Sequence, residues 1–331
     1  MNSMSMSPEE FKKACKGIIP VQYCPMHENL EVNYEGLKEN TKFLVDFAED
    51  GKKDVVIMTN GSTTEAYALS MEEQKKVIKT VVEVADGKVP VVAGVSRPSS
   101  IEAVELAKYA EEVGADCVMS TPPYYHRAYR EELYEHFKSI ADAVDIAVMI
   151  YNNADVSGTF IPADLVAELA KIENIVAIKD NSPTAIDYML KALLIDEKDM
   201  VLLNGFGEFH YPASAAYGLK YKGFVTFIGN FAPEMSYAVY EAVMKGDFVE
   251  AMKAVTKLSP IQLLMMKLLK KRVDHSVLPE AFRTNYMYML VGKAAMDIVG
   301  LHGGPLRPPL KELSAEEKEE VRKVLKEIGI V

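Results

Sequence analysis

Cysteine is scarce in this chain of 331 residues: Cys15, Cys24 and Cys117 are few and scattered, which fits neither a disulfide framework nor a paired-cysteine metal site. They are expected to be reduced and buried. Histidine is also sparse. The six, at positions 27, 126, 136, 210, 275 and 302, show no paired ligand spacing, so no metal is expected. Basic charge is in deficit. A net charge of −11 argues against nucleic acid or an anionic membrane as the main partner, because both attract basic surfaces. A small anionic substrate then needs a local pocket that reverses the sign. No stretch approaches about eighteen consecutive apolar residues, and the opening MNSMSMSPEE has no basic region leading into an apolar one. The expectation is a cytoplasmic protein.

What the chain does have is alternation. Nearly half of it is apolar, enough for a large core at this length. Strand-like runs cover Gly17–Tyr23, Val55–Thr59, Val89–Gly94, Asp116–Ser120, Ile146–Asn152, Ile175–Asp180, Met200–Asn204 and Gly223–Ile228. Between them apolar residues recur at spacings of three and four, as in Leu37, Phe43, Leu44 and Phe47, the helical period. Capping boxes mark helix starts at Ser7 with Glu10, Ser70 with Glu73 and Ser314 with Glu317. From Pro233 onward only helical patterns remain. Eight strand–helix repeats predict an α/β fold, a (β/α)8 TIM barrel with a C-terminal helical extension, although counting alone leaves a doubly wound sheet open. The expected division is 1–232 for the barrel carrying the active site, and 233–331 for the eighth helix and a C-terminal helical domain.

In a barrel of this kind the loops after the strand ends build the active site. The sixth strand, IVAIKD, ends on Lys179, an ammonium that is costly to bury unpaired. The same logic selects Asn60 to Thr63, Tyr124 and Tyr125, Tyr151 and Asn152, and Glu208. Each alone has an ordinary reading: a solvated lysine cap, rim aromatics, a glutamate favouring a helix N-terminus. Together, an amine, a phenol and donors suited to a carboxylate are the parts of a Schiff-base enzyme, in which lysine attacks a ketone and tyrosine moves protons. A nucleophilic lysine near pH 7 needs its pKa lowered from about 10.4 towards ~7, roughly 4–5 kcal/mol of differential interaction.

The spaced motifs GIIPVQYCP, GSTTE, TPPYYHRAYREELYEHF, IYNNADVSG, IVAIKD and GPLRPPL resemble those of the dihydrodipicolinate synthase/N-acetylneuraminate lyase family of class I aldolases, from about Lys16 to the C-terminus. The resemblance implies that Lys179 forms the Schiff base, Tyr151 transfers protons, and Ser62 and Thr63 hold the carboxylate of a pyruvate-like 2-keto acid. Tyr125 matches a tyrosine that members place in a neighbouring subunit's site. Val225 joins the substrate-binding set. The family is typically a homotetramer and uses neither metal nor organic cofactor. Several positions depart from the pattern. Thr64 stands where the family has glycine, Cys24 and Met26 flank Pro25, and Val156 occupies the place of the arginine with which synthases hold the second substrate's carboxylate. NGFGE, residues 204–208, resembles the sialic acid lyases instead, so Asn181 and Glu208 are expected to contact a hydroxylated tail. The expected activity is that of a lyase, an aldolase or dehydratase on sugar-derived 2-keto acids. The alternatives are condensation of pyruvate with aspartate semialdehyde by a dihydrodipicolinate synthase, and a non-catalytic barrel that binds a keto acid. A metal-dependent aldolase is disfavoured by the histidine spacing.

Overall fold

A computed structural model describes residues 5–216, 218, 220–272, 275–283 and 285–331. Eight parallel strands form the sheet: β1 (Gly17–Pro20), β2 (Ile57–Thr59), β3 (Val91–Gly94), β4 (Cys117–Ser120), β5 (Ala147–Asn152), β6 (Ile175–Asp180), β7 (Val201–Asn204) and β8 (Tyr221–Thr226). Their order, β1-β8-β7-β6-β5-β4-β3-β2, closes through bridges from Ile18 to Val55 and from Val21 to Met58. The result is a (β/α)8 barrel. Its helices are α1 (Pro8–Ala14), α2 (Tyr34–Glu49), α3 (Met71–Ala85), α4 (Ser100–Glu112), α5 (Arg130–Ala141), α6 (Ala154–Ser157), α7 (Ala163–Leu169), α8 (Ala185–Leu194), α9 (Tyr211–Ala215) and α10 (Pro233–Met244). Beyond them lie α11 (Phe248–Leu269), α12 (Met287–Ile298) and α13 (Ala315–Glu327). No helix among the described residues is long and apolar enough to cross a membrane.

Alternation along each strand sorts side chains into two cores. Ile19, Val21, Met58, Met119, Met149, Tyr151, Ala177, Leu203 and Val225 fill the barrel interior, while Ile150, Ile178, Leu202 and Phe224 face the helices. Helix α1, started by the Ser7–Glu10 box, sends Phe11 into the interior cluster, which Cys15, the residue that caps its C-terminus, also joins. All three cysteines are free and buried.

Several strand ends differ from the sequence pattern: β2 and β3 each start two residues late, and β8 and β1 differ too. β8 begins two residues early, where the Tyr221 phenol donates to Asp180 Oδ2 at 3.0 Å. It stops at Thr226 because residues 228–230 turn into a short 3-10 helix, with the Gly229 N–H on Thr226 Oγ1 at 2.8 Å. β1 ends at Pro20, beyond which Val21 keeps an isolated bridge. The last hundred residues pack on the barrel, α11 against α10, and α13 against α11 and α12.

Candidate active site

A cavity of about 280 Å³ opens among the C-terminal ends of the strands, lined by Ser62, Thr63, Tyr151, Lys179, Asn181 and Val225 among others. β6 carries the lysine. With Ala177 inside the barrel, Lys179 and Asn181 follow on the same face by the two-residue period. Lys179 is 4% exposed, and its Nζ lies 3.9 Å from the centroid of the Tyr151 ring. That contact follows from register, because Tyr151 on β5 pairs directly with Lys179 on β6. No carboxylate among the described residues pairs with the amine.

The phenol is fixed by a residue that the sequence reading passed over. Asn153 Nδ2 donates to the Tyr151 hydroxyl at 3.0 Å, while its Oδ1 accepts from the backbone N–H groups of Asp155 and Val156 at the start of α6. A helix-capping asparagine therefore holds the tyrosine from one side. Tyr288, at the start of α12, adds a second phenol to the lining. Burial, and next the Tyr151 phenol, push its pKa upward.

Ser62 and Thr63 sit on the turn after β2. Left-handed conformations fall at Asn60 (φ 55°) and Glu65 (φ 58°) and not at Thr64, so the missing glycine creates no conflict there. The Thr64 hydroxyl instead donates to the Gln22 carbonyl at 2.8 Å. Asn181 lies over Gly205, where an added Cβ would stand 2.1 Å from its Oδ1. That buried oxygen has no hydrogen-bond partner and belongs to a side chain facing the cavity.

Two expected site residues lie elsewhere. Glu208 is 1% exposed and outside the lining, its Oε1 accepting from the hydroxyls of Thr226 and Ser236. Burial raises its pKa, and those two hydroxyls oppose the rise. It braces β8 against α10 and does not line the cavity. Tyr125 is 79% exposed, pairs edge-on with His126, and does not reach the cavity of its own chain. Val156 is 37% exposed and also outside the lining.

A cationic side chain lines the cavity from a different element. Arg283, in the segment leading to α12, lines the cavity with Gln262, Asn285 and Tyr288, and its Nε donates to the Leu278 carbonyl at 2.6 Å. No aspartate or glutamate occurs among the described lining residues. The described lining thus does not share the excess acidic charge of the chain as a whole, which is net −11. No group of three or more His, Cys, Asp or Glu that could hold a metal ion occurs among the described residues.

Comparison with known proteins agrees with this geometry. The profile of the Dihydrodipicolinate synthetase family matches residues 14–328. The 4-hydroxy-tetrahydrodipicolinate synthase of Methanopyrus kandleri is 33% identical over 318 residues, covering 96% of this chain and 97% of that protein. Its counterpart from Acetivibrio thermocellus is 34% identical over 308 residues, covering 93% and 95%. Among solved structures, the dihydrodipicolinate synthase from Aquifex aeolicus superposes with a TM-score of 0.81 at 30% identity, covering 95% of this chain and 98% of that one.

Proposed function

The chain belongs to the dihydrodipicolinate synthetase family, and from that premise we propose that it condenses pyruvate with aspartate semialdehyde, as a 4-hydroxy-tetrahydrodipicolinate synthase. This replaces the sugar-acid lyase as the leading reading. The observation that supports it is a cavity lined by Lys179, with the Tyr151 ring beside it, and by Arg283, with no carboxylate in its described lining.

In this reading Ser62 and Thr63 hold the pyruvate carboxylate, so that the ketone carbon faces the Lys179 amine. The amine adds to that carbon, water leaves, and a protonated imine forms. Loss of a methyl proton gives an enamine, whose carbon attacks the aldehyde of the second substrate. Tyr151, held by Asn153, carries protons away from the first addition and back to the new alkoxide. Arg283 takes the second substrate's carboxylate, a charge-assisted contact that Val156 cannot make. Asn181 Oδ1, an acceptor without a partner, takes a donor from the same substrate. The second reading, cleavage or dehydration of a sugar-derived keto acid, keeps one specific support: a substrate hydroxyl would satisfy Asn181 equally well.

The test is borohydride trapping with pyruvate followed by peptide mapping. The adduct is expected on Lys179 and absent from Lys179→Ala; labelling of another lysine would refute the mechanism. Specificity constants for aspartate semialdehyde plus pyruvate, against a panel of deoxy sugar keto acids, then separate the two readings. Arg283→Ala should weaken the semialdehyde and leave pyruvate trapping intact.

A further inference from the structure

The turn that presents Ser62 and Thr63 ends at Glu65, a non-glycine residue in the left-handed region with φ 58°. Such a conformation persists only where its surroundings hold it. The Glu65 N–H closes the turn on the Ser62 carbonyl at 3.0 Å. Any relaxation at Glu65 therefore moves Ser62.

What holds Glu65 comes from the far end of the chain. Its carboxylate is completely buried. Oε1 accepts from Lys293 Nζ on α12 at 2.7 Å, and Oε2 accepts from the Arg307 backbone N–H at 2.9 Å. Lys293 Nζ also donates to the Pro305 carbonyl at 2.7 Å. The Arg307 guanidinium completes the grip, donating to the Ala68 carbonyl at 2.9 Å and holding Glu73 with both terminal nitrogens. The segment can come this close because Gly303 and Gly304 precede it: an added Cβ would lie 2.1 Å from the Lys293 carbonyl oxygen and 2.2 Å from that of Met26, respectively. This is the structural content of the GPLRPPL motif, which the chemistry at Lys179 does not use.

We propose that Glu65 and Lys293 are positioning residues for the substrate carboxylate, a buried ion pair through which the C-terminal segment sets the pitch of the Ser62–Thr63 turn. The proposal rests on the reading that these two hydroxyl residues bind a keto acid. It separates affinity from chemistry. The pair touches neither Lys179 nor Tyr151, so its loss should weaken recognition of a carboxylate while leaving the amine competent.

The experiment measures half-saturation of borohydride trapping at Lys179 with pyruvate and with acetone, a ketone of similar size that has no carboxylate. The variants are Glu65→Gln and the neutral pair Glu65→Gln/Lys293→Met, assayed where circular dichroism shows them folded. In Glu65→Gln the amide nitrogen must face either Lys293 or the Arg307 N–H, donor against donor, so the turn loses its clamp. Half-saturation by pyruvate should rise about tenfold or more, on the scale of one hydrogen bond to a charged group, while acetone is unaffected. Lys293→Arg keeps the charge and serves if the neutral variants do not fold, with a smaller shift in the same direction. Unchanged pyruvate affinity, or equal losses for both ketones, would overturn the proposal. Absence of a wild-type adduct at Lys179 would instead refute the underlying reading.

Discussion

At the scale of single residues, the site rests on which way each side chain points. Lys179 and Tyr151 could be placed from sequence because strands alternate, and a barrel strand that has Ala177 inside must have Lys179 inside too. Tyr151→Phe keeps the ring beside the amine and removes only the proton carrier. Turnover should fall by roughly 10²–10⁴-fold with pyruvate trapping retained, the usual effect of losing a positioned acid or base; a change confined to the Michaelis constant would make Tyr151 a binding residue. Glu208 departs from the sequence expectation because it lies past the end of β7, where no period dictates direction, and its carboxylate turns to Thr226 and Ser236. A pH prediction follows from that burial. Its folded-state pKa is raised, so its contribution favours the fold when the group is protonated and is lost as pH rises through the folded value. Glu208→Gln should therefore melt above the wild type at pH 7, and the gap should close on acidification. A gap that widens in acid would contradict the assignment.

At the scale of elements, the eight strands and the capped helices were legible because apolar period and capping chemistry are local signals. The joints between elements were not. Asp180 points away from Lys179 toward the helices, where Asn152, Ser182 and Tyr221 donate to it and Lys191 Nζ on α8 stands 3.3 Å away. Both charged side chains are completely buried. Lys191→Met would leave a buried carboxylate without its countercharge, and chemical denaturation should register a loss of about 3–5 kcal/mol. His136 makes a second such joint, fastening α5 to the end of β4 through the Ser120 hydroxyl and the Thr121 carbonyl. Burial lowers its pKa from 6.5 to about 4. A folded-state value below the unfolded one gives stability that is present above pH 6.5 and lost as pH falls towards 4. The melting temperature should decline across that window, and His136→Asn should flatten the decline.

At the scale of the whole molecule, the mouth of the barrel is finished by chain that no local pattern assigns to it. Helical periodicity shows which face of α11 or α12 is apolar but not that Gln262, Arg283, Asn285 and Tyr288 return over the strand ends; only tertiary packing decides that. Tyr125 poses the complementary question. It stands exposed on the loop after β4, and the family resemblance implies that it completes the site of a neighbouring subunit in a homotetramer. α8 also leaves Ile186, Leu193 and Leu194 exposed, apolar surface of the kind subunit contacts cover. Subunit complementation tests this directly. Tyr125→Phe chains retain Lys179, and Lys179→Ala chains retain Tyr125, so a mixed oligomer contains sites in which both residues are intact. Co-refolding the two weak variants should give more activity than either alone, and sedimentation should show one assembly larger than a monomer. A fully active monomer, or a mixture no better than the mean of its parts, would return Tyr125 to the surface and leave Tyr151, with Asn153 and Tyr288 beside it, to move protons within a single chain.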